Sequence, residues 1–346
     1  MPESFNPKGS EKKEEFTREN FESRLQKADG TKESFSIKVN KEGKPQMVVF
    51  EDIDKTLLHI EPAYREIRKI MWPEEVKKEG LDNFSKVHLD GFRLGTMWRE
   101  LYRIYGIYHL GEEKWKDPKF YKEDFLAAGK KGEHIDEAGN ELHELADELL
   151  QKFDTIAAGV VEKQAKENPE LFESSKIAPM YKLNTLYKRL GIPVVGMTAN
   201  PRKFIEALCK YTGLSEQFLD CATDTDVLKA KEYKMLWLIE RMKQNGLNIP
   251  YDKILVIGDS ASGDVGSASR FQELIRQEHP EVSASGVLIV EGDEDIENAL
   301  KVFDEENIDD INIQAFNYRE TPLDKRGDPQ LFSKFRDKFL SKLQGK

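Results

Sequence analysis

QMVVFEDIDKTLLHI, residues 46–60, passes from an apolar, β-branched run into three carboxylates, a lysine and a threonine before returning to leucine. The run MVVFE (47–51) suits a strand buried on both faces. Carboxylates at the end of such a strand repel one another and resist dehydration, so the cluster needs a compensating partner. Glu51 reads as part of the strand and points away. Asp52 and Asp54 belong to the turn that follows.

Outward from this strand the chain divides by pattern. Residues 1–33 are charged and poor in apolar side chains, which predicts a flexible extension. SFSIKV (34–39) alternates like a short strand, and KEGKP after it reads as a turn. From 61 to 179 the periodicity is helical and β runs are absent, as in PAYREIRKIMW (62–72) and AGNELHELADELLQKFDTIAAGVVEKQAKE (138–167). From 180 the pattern alternates. The strands IPVVGMT (192–198), KILVIGD (253–259), SGVLIVEG (285–292) and DINIQAF (310–316) are separated by helices, EYKMLWLIERMKQNG (232–246) among them. This predicts a doubly wound, mostly parallel, Rossmann-like α/β sheet formed by 34–60 and 180–320. The first strand joins that sheet across a mostly α-helical insertion, 61–179. Residues 321–346 form a helical tail.

The 346 residues carry a net charge of −11, which opposes binding to nucleic acid or to an anionic membrane. Cys209 and Cys221, the two cysteines, have no metal-ligand spacing and form no disulfide framework, as in a reducing compartment. No run approaches the ~18 apolar residues of a membrane span, and the N-terminus has no signal-peptide core, so a cytoplasmic location is expected. Phosphate-loop, dinucleotide, HExxH and GxSxG patterns are absent.

In an open parallel sheet, ligands gather outside the carboxyl ends of the strands. Three strands end in reactive side chains: Asp52 and Asp54; Thr198, Ala199 and Asn200; and GDSASGD (258–264), which holds Asp259 and Asp264. Four carboxylates at one edge require a cation, and all-oxygen ligands favour Mg²⁺. The Thr198 hydroxyl and the loop amides beside it could hold phosphate oxygens. A fixed cation would complete the site, and Lys234, one helix before Asp259, is preferred over Lys229 and Lys231.

DxDxT after a strand, a strand-ending threonine, a lysine one helix upstream and GDxxxxD together resemble the four motifs of the haloacid dehalogenase-like (HAD) phosphohydrolases. The resemblance implies that 61–179 is a cap inserted between the first two motifs. It also implies a Mg²⁺-dependent phosphatase acting on a small phosphorylated metabolite. Asp52 would be the nucleophile, forming an aspartyl-phosphate, and Asp54 the acid and base. Asp52, the Asp54 carbonyl, Asp259 and Asp264 would hold the metal, while Thr198, Ala199, Asn200 and Lys234 would bind the phosphate. Lys55 stands where the family commonly has glycine. Within HLDGFRLGTMWRE (88–100), Arg93 is a candidate for gripping a second anionic group, against the plainer reading of a solvated helix residue. A phosphosugar mutase on the same scaffold, or a non-catalytic HAD-like binding or regulatory protein, are the alternatives. Asp54 argues against a dehalogenase, which has no need of the second aspartate as acid. The oligomeric state is left open.

Overall fold

The strand read at 47–51 occupies the centre of a six-stranded sheet. The structure, a computed structural model, describes residues 37–85 except 42, then 137–227, 230–290, 293–306 and 311–317, with 308 and a few positions between 97 and 109. For 137–146, 293–296, 316 and 317 the backbone alone is described. The N-terminal extension, Arg93 and its neighbour Trp98, Lys229 and the tail 321–346 lie outside the described residues.

Strands β1 (Val48–Glu51), β2 (Val194–Met197), β3 (Asp220–Ala222), β4 (Ile254–Gly258), β5 (Ala284–Val290) and β6 (Asn312–Asn317) run parallel in the order β3-β2-β1-β4-β5-β6. The fold is thus the expected doubly wound α/β sheet. β3 was not foreseen, because DCA is three residues long and shows no periodicity. The described residues of SFSIKV, 37–39, do not join the sheet. Of these, only Val39 makes a bridge, to Pro45.

Among the described residues, nine helices flank the sheet: α1 (Glu61–Met71), α2 (Pro73–Glu79), α3 (Glu137–Glu167), α4 (Glu170–Ser175), α5 (Ala178–Leu190), α6 (Arg202–Thr212), α7 (Lys231–Gln244), α8 (Gly266–Ile275) and α9 (Asp293–Glu305). Side-chain alternation along each strand splits the interior into two cores. Val49, Val194, Leu255 and Ile257 face one core, with Tyr64, Phe153, Leu183, Tyr187 and Phe204 from α1, α3, α5 and α6. Val48, Phe50, Val195 and Val256 face the other, with Met235, Leu238 and Phe271 from α7 and α8. Buried on both faces, β1, β2, β4 and β5 read as apolar runs for this reason.

The described helices α1 and α3 of the insertion therefore pack on one side of the sheet. Tyr64 of α1 and Phe153 of α3 pack against Phe204 of α6, with ring centroids 5.8 and 6.0 Å away. Asp154 on α3 accepts a hydrogen bond from the Phe204 amide at 2.8 Å, so one helix caps the N-terminus of another. Among the described residues, no helix is long and apolar enough to cross a membrane.

Candidate active site

Sheet register brings the three motif-bearing strand ends together. Glu51 pairs with Ile257 of β4 and with Gly196 of β2, and the Asp52 amide donates to the Ile257 carbonyl at 2.8 Å. The chain connections leave on opposite faces at the β1–β4 boundary, which opens a crevice at the carboxyl edge. A cleft of about 570 Å³ lies there. Its walls include Asp52, Asp54, Thr198, Ala199, Asn200, Asp259 and Asp264, together with Asn298 and Lys301 of α9.

Period-2 alternation separates Glu51 from Asp52. Glu51 is fully buried on the α5 side, where it accepts a hydrogen bond from Asn184 Nδ2 at 2.6 Å. Burial pushes its carboxyl up to about 8, and the neighbouring Asp52 charge adds to this. Asp52 faces the opposite side and meets Lys231 Nζ at 2.6 Å. Burial raises Asp52 to about 6, with Lys231 pulling it down and Asp264 pushing it up. Asp54 is raised to about 7, by burial first; the Lys55 charge opposes the shift and Asp52 adds to it. Asp259 is held well above the usual carboxylate range by burial and by the charges of Asp264 and Asp52.

The loop after β4 holds Asp264 rigidly. The Ser260 amide donates to Asp264 Oδ2 at 2.9 Å, the Gly263 amide donates to Ser260 Oγ at 2.9 Å, and residues Ala261–Val265 form a π-turn leading into α8. Single π-turns of this kind recur at functional sites. Any Cβ at Gly258 would collide with the Asp264 carboxyl, so only glycine lets that side chain return against the strand end. Lys55, at φ 53°, is the non-glycine residue with positive φ among those described. The position at which the family favours glycine therefore does adopt the left-handed conformation, at a cost of about 1–2 kcal/mol for an L residue.

The preferred lysine is corrected by the geometry. Lys231 is the first residue of α7, and its ammonium bridges Asp52 and Asp264. Burial alone would lower its pKa, but the carboxylates of Asp264 and Asp52 outweigh this and raise it. Lys234 is fully buried beneath the cleft, donating to the Thr198 carbonyl at 2.7 Å and pairing with Asp224. Helix rise explains the difference. α7 starts at the reactive edge, so a residue three positions further on sits roughly 4.5 Å deeper. Asp224, which sequence reading missed, also accepts from the Met97 amide at 2.7 Å. The only trace of its role is the acidic spacing in TDTD, residues 223–226.

The loop after β2 is also partly committed. The Thr198 amide donates to the Ala222 carbonyl at 3.0 Å, and the Asn200 amide to Thr198 Oγ1 at 3.1 Å. Of the three loop amides, that of Ala199 has no acceptor among the described residues. The expected cradle of amides is thus narrower than the sequence suggested.

One carboxylate oxygen each from Asp52, Asp259 and Asp264 lies within 4.8 Å of the other two. Three hard oxygen donors this close together fit a divalent cation such as Mg²⁺. Among the described residues, Lys231 is the ammonium that pairs with two of these carboxylates, which leaves negative charge in excess.

Fold and cleft define a three-layer α/β protein with an acidic, metal-capable site at its topological switch point. The family model for haloacid dehalogenase-like hydrolases matches residues 46–272, more than half of the chain, and the protein belongs to that family. No curated protein sequence matches it significantly. Among solved structures it is similar to a phosphonoacetaldehyde hydrolase-like protein from Oleispira antarctica, at 13% identity over 85% of this chain and 98% of that one, with a TM-score of 0.46. It is also similar to the HAD-hydrolase YfnB from Bacillus subtilis bound to magnesium, at 13% identity, 70% and 88% coverage and a TM-score of 0.39. A third is L-2-haloacid dehalogenase from Xanthobacter autotrophicus, at 12% identity, 74% and 82% coverage and a TM-score of 0.37. Likeness at this level carries no statement about substrate.

Proposed function

We propose that this HAD-like hydrolase is a Mg²⁺-dependent phosphatase that hydrolyses a small organic phosphate monoester through an aspartyl-phosphate on Asp52. The observation that carries the reading is geometric: Asp52 and Asp54 follow β1 into the cleft, where Asp52, Asp259 and Asp264 bring carboxylate oxygens within 4.8 Å of one another and Lys231 reaches Asp52 at 2.6 Å; burial raises both Asp52 and Asp54. Near neutral pH, Asp52 is available as a nucleophile while Asp54 still holds a proton for a leaving group.

Asp52 attacks phosphorus, the ester P–O bond breaks, and the leaving oxygen takes the Asp54 proton. Asp54, now a carboxylate, removes a proton from water. That water attacks phosphorus and releases the Asp52 carboxylate with inorganic phosphate. Lys231, the Thr198 hydroxyl and the Ala199 amide face the phosphoryl oxygens and stabilise their charge. Asp52, the Asp54 carbonyl, Asp259 and Asp264 would hold Mg²⁺, which screens nucleophile from phosphate and polarises a phosphoryl oxygen. The helical insertion acts as the cap, which keeps the substrate small. The net charge of −11 disfavours a nucleic-acid substrate and agrees with a small metabolite.

Turnover of a panel of small phosphate monoesters with and without Mg²⁺, in wild type and Asp52→Asn, tests this. Mg²⁺-dependent hydrolysis that collapses in the variant is expected. Undiminished activity in Asp52→Asn would remove the nucleophile. Exchange between sugar-phosphate isomers without hydrolysis would favour a mutase, and silence in both assays a binding role.

A further inference from the structure

Thr198 has a hydroxyl whose surroundings decide where its proton goes. Its oxygen receives two hydrogen bonds from one residue, the Asn200 amide at 3.1 Å and Asn200 Nδ2 at 3.1 Å. An oxygen that accepts twice must send its own O–H elsewhere. The open direction is the cleft, whose wall Thr198 forms. The rest of Thr198 is saturated: its amide donates to Ala222 and its carbonyl accepts from Lys234.

What keeps Asn200 in this orientation lies outside the loop. Tyr64 Oη is 2.6 Å from Asn200 Oδ1, a length that suits O–H···O and identifies the carbonyl end of the amide. With Oδ1 turned to Tyr64, Nδ2 is turned to Thr198. Were the amide reversed, Oδ1 would accept the threonine proton and withdraw it from the cleft. Tyr64 is itself immobilised, 1% exposed, between Phe153 and Phe204 and under the Arg68 guanidinium.

We propose that Tyr64, Asn200 and Thr198 form a one-directional hydrogen-bond relay that fixes the threonine proton on the cleft, making Tyr64 a positioning residue for oxoanion binding. The proposal rests on reading the cleft as a phosphoryl site and assigns a role there to α1, in the insertion. The relay donates at every step, Tyr64 to Asn200 to Thr198 to the anion, so the bonds reinforce one another. The tyrosine never touches the substrate. It acts by excluding the wrong amide orientation.

The test is a double-mutant cycle read by calorimetric binding of inorganic phosphate in the presence of Mg²⁺, alongside turnover of p-nitrophenyl phosphate. Tyr64→Phe keeps the packed ring and removes only the donor. It should weaken phosphate binding about 3- to 10-fold, alongside the modest loss of melting temperature that an unsatisfied buried Asn200 carbonyl entails. Thr198→Val should weaken binding by a similar factor, and adding Tyr64→Phe to it should change nothing more. Asn200→Ala cuts the relay one link nearer the hydroxyl, and its loss should likewise shrink in the Thr198→Val background. Wild-type affinity in Tyr64→Phe, or an equal loss in both backgrounds, overturns the relay. If the wild-type protein binds phosphate but hydrolyses no monoester, the phosphatase reading falls while the cycle still decides the relay. If it binds no phosphate, both fall.

Discussion

Two lysines three residues apart carry opposite consequences. Lys231 bridges the carboxylates of Asp52 and Asp264 in the cleft, whereas Lys234 is sealed beneath it against Asp224. Lys231→Met should fold and lose about 10²–10³ in kcat, the scale of removing one preorganised charge partner from a transition state. Lys234→Met leaves Asp224 buried without its cation and should cost about 3–5 kcal/mol of stability. Kinetics and thermal unfolding of the two variants separate these roles; a stability defect in the first with none in the second would reverse them. Glu51, one residue before the proposed nucleophile, makes a different prediction. Its carboxyl is raised to about 8 by burial. An unfolded glutamate titrates near 4.3, so between about 4 and 8 the folded chain holds a proton that the unfolded chain has released. The favourable contribution is fully present below that range and is lost as pH rises through the folded value. Measured without metal, Glu51→Gln should therefore gain melting temperature relative to wild type as pH goes from about 5 to 8, with a slope of at most about 1.4 kcal/mol per pH unit. Parallel curves for the two proteins would contradict this.

At the scale of elements, α6 is where the helical insertion meets the sheet. Its first turn is capped by Asp154 from α3, and Phe204 seals the same contact with Phe153 and Tyr64. Burial raises the Asp154 carboxyl, the amides of Phe204 and Lys203 working against the shift. Asp154→Ala should destabilise by about 1–2 kcal/mol, as loss of a cap does, with Asp154→Asn retaining most of the stability because its amide oxygen still accepts. Equal losses in the two variants would show that charge, not the acceptor, matters. The longer helices and strands were legible because their apolar spacing is set by the faces they bury, on both sides for β1, β4 and β5, whereas the short α2 and α4 were not read, α2 burying no side chain. β3 was not, being three residues whose strand character comes from pairing with β2. The contact between α3 and α6 joins positions 50 residues apart and leaves no mark in either stretch alone.

For the whole molecule, the acidic ends of β1 and β4 were readable because chemistry requires those residue types at strand ends and a parallel sheet aligns such ends. Depth was not readable: Lys234 was preferred to Lys231 because sequence shows the order of lysines and not how far down a helix each one lies. The reach of Tyr64 to Asn200, across 136 positions, depends on two elements packing and was likewise hidden. The central claim is that Asp52 becomes phosphorylated. In Asp54→Asn, p-nitrophenyl phosphate should still phosphorylate the nucleophile, since p-nitrophenolate leaves without a proton, but water is no longer activated and the intermediate accumulates. Acid quenching followed by peptide mass mapping should find a phosphoryl group on Asp52, and none when Asp52 is also changed to Asn. A phosphoryl group on another residue, or wild-type turnover of the ester with no phosphoryl-enzyme in Asp54→Asn, would contradict the account.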